Sequence, residues 1–97
     1  MDFKRQKFLV FGLSLSGRAV AEKLLSLGAT VFAYDDGAPR IEKTMRYLSE
    51  KGCVSALNSP ENFIRNSDVV VLSPGVPIDN PLVVKAKRMG KRITGEL

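Results

Sequence analysis

Four consecutive apolar residues, Phe8-Leu9-Val10-Phe11, run straight into Gly12. A strand that is apolar on both faces has to be covered on both, which is how a central strand of a parallel sheet reads. A short loop follows, Gly12-Leu13-Ser14-Leu15-Ser16-Gly17, and then Val20, Leu24 and Leu27 recur at helical spacing up to the stop at Gly28.

The alternation continues along the chain. Thr30-Val31-Phe32-Ala33-Tyr34 reads as a second strand, closed by the turn residues Asp35-Asp36-Gly37 with Pro39 just beyond. Ile41, Met45 and Leu48 mark one face of a second helix from about Arg40 to Lys51. A short third strand is expected over Val54–Leu57. Ser59-Pro60 and Asn80-Pro81 each place a capping residue before proline at a first helical position. The helices they open are expected to run to about Asn66 and to Met89. Between them lies the run Val69-Val70-Val71-Leu72, and Arg92-Ile93-Thr94 forms a last strand. Crossovers of this length make successive strands parallel and right-handed. The expected fold is therefore α/β: a Rossmann-like open parallel five-stranded sheet with helices on both faces.

The 97 residues suffice for one domain, and 44% are hydrophobic, ordinary for a globular chain. One cysteine, Cys53, and no histidine leave no internal disulfide, no Ser-His or Cys-His pair and a poor donor set for zinc. Cys53 sits just before a strand and reads as a buried structural thiol. The N-terminus lacks the apolar core of a signal peptide, and no stretch is long enough to span a bilayer. A cytoplasmic protein with no membrane partner is expected. The formal net charge of +5 reads either as a solvated basic surface or as long-range attraction for an anionic ligand. The basic residues are scattered and not interleaved with aromatics, so no nucleic-acid partner is expected.

In sheets of this kind ligands bind beyond the carboxyl ends of the strands. Three loops fall there: Gly12–Gly17, Asp35–Gly37 and Ser73–Pro77. In the first, Gly12 allows a tight turn and Gly17 allows close packing of helix on strand, while the helix start offers unpaired amides to a phosphate or diphosphate. Ser14 and Ser16 can add hydroxyls. Ser14 stands where the dinucleotide fingerprint has its middle glycine, which suits NAD less well than another diphosphate. Arg18 follows Gly17 where a Walker loop needs Lys-Ser/Thr. Asp35 lies 35 − 12 = 23 positions after Gly12, near the spacing of about 20 at which an acid meets a ribose hydroxyl. It could equally accept an N–H from a base, and Asp-Asp-Gly is also common turn chemistry. Ser73-Pro74-Gly75 can present a hydroxyl and an exposed amide beside the first loop.

Together the Gly12–Gly17 loop, Leu27-Gly28-Ala29-Thr30-Val31 leading to Asp35, and Ser73-Pro74-Gly75-Val76-Pro77 with Asn80-Pro81 resemble the N-terminal domain of the Mur ligases, in particular the D-glutamate-adding type. The closing Ile93-Thr94-Gly95-Glu96-Leu97 is similar to the hand-over to the next domain. The resemblance spans essentially the whole chain. It implies that residues 1–97 are the first of three domains of an ATP-dependent ligase of bacterial peptidoglycan synthesis. This domain would bind the UDP part of UDP-N-acetylmuramoyl-L-alanine. The amides of Leu15 and Ser16 would hold the diphosphate, with Gly12, Ser14 and Gly17 shaping the loop. Asp35 and Asp36 would read uracil and ribose, and Ser73, Pro74 and Gly75 would meet the phosphates or the sugar side.

ATP, Mg2+ and D-glutamate would belong to the remaining ligase domains, so this chain alone is expected to need no cofactor and to catalyse nothing. Members of the family often carry a basic residue shortly after the Asp, where Gly37 and Ala38 stand here and Arg40 is the next available. Arg18 is the other candidate cation. The competing readings are a stand-alone NAD-binding regulatory Rossmann domain and an L-alanine-adding Mur ligase.

Overall fold

The computed structural model describes residues 3–37 and 41–95. Pro39, Arg40, Glu96 and Leu97 lie outside the described residues. A single 3-10 turn, Phe3–Arg5, leads into strand β1 (Lys7–Phe11). Then follow α1 (Leu15–Ser26), β2 (Thr30–Tyr34), α2 (Glu42–Glu50), β3 (Val54–Ser55), α3 (Pro60–Arg65), β4 (Val69–Leu72), α4 (Pro81–Arg88) and β5 (Arg92–Thr94). The sheet order is β3-β2-β1-β4-β5 and every pairing is parallel. The expected five-stranded parallel sheet is the one observed.

β1 lies at the centre, Phe8 level with Val31 on one side and Val69 on the other. Successive side chains of a strand leave by opposite faces, and the four apolar residues of β1 feed two separate cores. Phe8 and Val10 pack with Leu24, Val31, Met45 and Leu48 under α1 and α2. Leu9 and Phe11 pack with Ile64, Val70, Val83 and Ala86 under α3 and α4. An uninterrupted apolar run is what a strand between two cores requires.

Several elements are shorter than expected. β3 ends at Ser55: the Ala56 amide still donates to Ala33 O of β2 at 2.9 Å, and the Leu57 amide then turns to the Ser55 hydroxyl at 3.2 Å. Ile41 stands outside α2 as its N-cap, its carbonyl accepting from Met45 at 2.9 Å. Ser59 precedes Pro60 as expected, but its side chain makes no capping bond. On α1 the buried stripe is Gly17, Ala21 and Leu24, while Leu27 is 38% exposed at the C-cap. Small residues at the first two positions bring the helix axis close to the sheet. Among the described residues no helix is long and apolar enough to cross a membrane.

Cys53 is buried beside β3 within the first core. Burial pushes its thiol up to about 11, above the value near 8.5 of an unfolded cysteine. The native state therefore keeps its proton longer than the unfolded chain does. The stability this gives is complete below about pH 8.5 and is lost as pH rises towards 11. A disulfide-exchange reagent at pH 8 should leave the native thiol unmodified for hours and react within seconds in urea; rapid reaction without denaturant would contradict this burial.

Candidate functional site

The carboxyl ends of β1, β2 and β4 meet at one knot. Gly12 donates its amide to Tyr34 O at 2.8 Å, and Ser73 donates its amide to Phe11 O at 3.0 Å. The Ser73 hydroxyl, itself buried, donates to Gly12 O at 2.6 Å. Gly12 has φ +97, a left-handed conformation. A side chain there would meet Val76 Cγ2 at 2.8 Å and Ser73 Cβ at 2.9 Å. Gly17 is tighter still: a Cβ would overlap the Gly12 carbonyl oxygen and the Ser73 hydroxyl. The two glycines of the first loop are thus used against each other and against the neighbouring strand's loop.

This close approach sets the N-terminus of α1 over the sheet edge. Ser14 is the N-cap, in extended conformation, and its side chain makes no capping bond. The first bond of the helix runs from the Arg18 amide to Ser14 O at 2.9 Å. The amides of Leu15, Ser16 and Gly17 accordingly have no acceptor within the helix, and the first turn contains no acid. Ser14, Leu15 and Ser16 are exposed. A helix start that is uncapped and open to solvent is suited to an anion.

Beside it lies a cleft of about 550 Å³. Gly12, Ser14, Asp35, Asp36, Ser73 and Gly75 all line it, so the three loops do converge. Leu15 and Ser16 stand exposed at the helix start, Gly17 is buried beneath the loop, and Pro74 is exposed outside the lining. Phe11, Leu13, Gly37, Ile41, Val76, Pro77 and Asn80 complete the walls. Leu13, Gly37, Val76 and Pro77 belong to the three candidate loops and Asn80 to the cap of α4, whereas Phe11 and Ile41 read as strand and helix core and only the structure turns them toward the cleft.

The two acids differ. Asp35 accepts the Leu13 amide on one oxygen at 2.7 Å and the Gly37 amide on the other at 2.6 Å. It is a turn residue and also the brace of the first loop, with lone pairs left over for a ligand. Asp36 is exposed and accepts from the Tyr34 hydroxyl at 2.8 Å and from Asn80 Nδ2 at 3.0 Å. Burial first, then the Asp36 carboxylate, pushes the Tyr34 phenol up to about 12, so it stays a donor at neutral pH. Ser73 spends its hydroxyl proton on Gly12 O and keeps acceptor capacity only. At Gly75 a Cβ would meet open space.

Among the described residues lining the cleft there is no Lys or Arg. Arg18 turns away along α1: its guanidinium lies 4.1 Å from the Tyr47 ring centroid and its Nε 3.3 Å from Glu22. Among the described residues, positive potential at the cleft therefore comes from the amides of α1 and not from a side chain.

A central parallel strand, a glycine turn into a helix after it and helices over both faces of the sheet define a Rossmann-like α/β domain. The fold is similar to that of shikimate dehydrogenase from Aquifex aeolicus, with a TM-score of 0.68 over 96% of this chain and 43% of that one at 23% identity. It is likewise similar to UDP-N-acetylglucosamine 3-dehydrogenase from Acidithiobacillus ferrooxidans, with a TM-score of 0.67 at 20% identity over 91% of this chain and 28% of that one. At such identities the likeness is one of fold.

Sequence comparison goes further. The family described as Mur ligase MurD-like, N-terminal domain, matches residues 6–95, and this chain belongs to it. The UDP-N-acetylmuramoylalanine--D-glutamate ligase of Caldanaerobacter subterraneus subsp. tengcongensis is 35% identical over all of this chain and 22% of its own length. That of Acidobacterium capsulatum is 38% identical over the same shares. The chain thus spans about a fifth of the length of these relatives.

Gly17→Ala should lower stability by about 1–3 kcal/mol, the usual cost of overpacking, whereas Gly75→Ala should stay within about 0.5 kcal/mol. Urea midpoints measure both, and equal midpoints would refute the tight approach. Asp35→Ala strands the Leu13 and Gly37 amides, so it should cost about 1–3 kcal/mol with no ligand present. An unchanged midpoint would show that Asp35 does not brace the loop.

Proposed function

We propose that this domain binds the uridine diphosphate part of UDP-N-acetylmuramoyl-L-alanine on behalf of a ligase that adds D-glutamate in peptidoglycan synthesis. The observation that carries the reading is the uncapped start of α1, with Leu15 and Ser16 exposed beside the cleft and their amides without a helical acceptor. Family membership supplies the chemistry for which that anion site would be used.

In this reading the Leu15 and Ser16 amides hold the diphosphate, within the loop shaped by Gly12, Ser14 and Gly17. The spare lone pairs of Asp35 and Asp36 accept from the base N–H and the ribose hydroxyls. Gly75 faces the phosphates or the sugar through its amide, with Pro74 holding the loop, and Ser73, left with acceptor capacity only, takes a sugar hydroxyl. The enzyme would activate the precursor's carboxylate as an acyl-phosphate and release phosphate when the D-glutamate amine attacks.

ATP, Mg2+ and D-glutamate are assigned to the remaining ligase domains. Among the described residues no three His, Cys, Asp or Glu side chains are grouped to hold a metal, and the first loop carries Arg18 where a Walker lysine would stand. We assign residues 1–97 a binding role without catalysis of their own, in the cytoplasm where nucleotide precursors are found.

The test is a titration of the isotope-labelled chain followed by amide resonances. UDP should give saturable shifts at Leu15 and Ser16, UMP weaker ones, and NAD weaker binding than UDP. Tighter binding of NAD would favour a regulatory dinucleotide-binding domain. The absence of any saturable shift at millimolar UDP from a folded chain would end the proposal.

A further inference from the structure

One wall of the cleft is closed by a side-chain strap. Asn80 is the N-cap of α4, and its carboxamide oxygen accepts the Leu82 amide at 2.9 Å. The same carboxamide turns its nitrogen the other way and donates to Asp36 Oδ2 at 3.0 Å, across 44 positions of sequence. The Tyr34 hydroxyl takes the other oxygen of Asp36 at 2.8 Å. Tyr34 is itself fixed, its ring edge-on to Phe11 with centroids 5.1 Å apart. An exposed carboxylate with one free torsion beyond Cβ would otherwise sample several orientations. Here both oxygens are held, one from the end of β2 and one from the start of α4, and Asp36 and Asn80 both line the cleft.

We infer that Asn80 is a positioning residue of the ligand cleft, which through one carboxamide ties the end of β2 to the N-terminus of α4 and aims the Asp36 carboxylate at the ligand. The inference rests on the function proposed above for its ligand, though not for the strap itself. It accounts for a feature that helix capping alone does not: Asp would cap α4 as well as Asn, but an ionised Asp has no proton to give Asp36 while it accepts from Leu82.

That difference supplies the test. Asn80→Asp keeps an oxygen for the Leu82 amide but sets two carboxylates against each other. The urea midpoint should move little, while UDP binding by the chain should weaken about tenfold. Asp36→Asn combined with Asn80→Asp exchanges donor and acceptor and rebuilds the strap, so the carboxamide introduced at position 36 should exchange with water as slowly as the Asn80 carboxamide of the unaltered chain. Fast exchange of that carboxamide in the double variant, or unchanged UDP binding by Asn80→Asp, would overturn the inference.

A ligand-free reading separates the strap from its proposed ligand. In the unliganded chain, Asp36→Ala should shift the Asn80 side-chain amide resonances and hasten their exchange with water. If the unaltered chain bound no UDP, the proposed function would fall, and these resonances would still decide the strap: no shift on Asp36→Ala overturns it.

Discussion

Everything at the ligand edge depends on how closely the start of α1 approaches the end of β1. The chain leaves the central strand, turns at Gly12 with φ +97, and re-enters a helix whose third residue, Gly17, lies against the Gly12 carbonyl. No side chain fits between them. The Ser73 hydroxyl binds that same carbonyl from the neighbouring strand. The carbonyl is therefore satisfied although it is buried, which a polar group in that position requires. From this one approach follow the placement of α1 over the sheet, the lodging of Ala21 and Leu24 against it, and the exposure of the helix's first amides.

The electrostatics follow from the same geometry. The chain carries a formal net charge of +5, yet the cleft walls described carry carboxylates and no basic side chain. Arg18, the cation closest in sequence to the first loop, is held by Glu22 and the face of Tyr47. A surplus of surface lysine and arginine therefore says little about the cleft. Among the described residues the local field is set by the partial charge of a helix start, which acts over about a turn, and by two fixed carboxylates at the end of β2, of which Asp35 also braces the loop before α1.

Much of the fold was legible because β1 and β4 are buried on both faces, so their apolar runs have no competing interpretation. The loops converged as expected because parallel strands place all their carboxyl ends on one edge. What escaped is what depends on more than one segment. Leu27 fits a helical stripe in sequence but stands at the C-cap, beyond the sheet; the stripe actually buried uses Gly17 and Ala21, whose small size carries no hydrophobic signal. β3 was overextended because a hydroxyl-to-amide bond at Ser55 leaves no mark in an apolar pattern. Asn80 was legible as a cap and not as a partner of Asp36, since nothing in a linear sequence pairs positions 36 and 80.

Ser14, Ile41 and Asn80, the N-caps of α1, α2 and α4, all line the cleft, and the starts of α1 and α4 are not equivalent. At α4 Pro81 has no amide proton and the Leu82 amide is taken by the Asn80 side chain. At α1 the Ser14 side chain caps nothing. An anionic group gains most at α1 and would be repelled at the Asp35–Asp36 side, where groups bearing N–H or O–H donors gain instead. The cleft thus has electrical direction: a molecule with phosphates at one end and donors at the other has one favourable way to lie in it. A nucleoside diphosphate has that polarity within a single small molecule, and its base and ribose require acceptors of the kind that β2 supplies at its end.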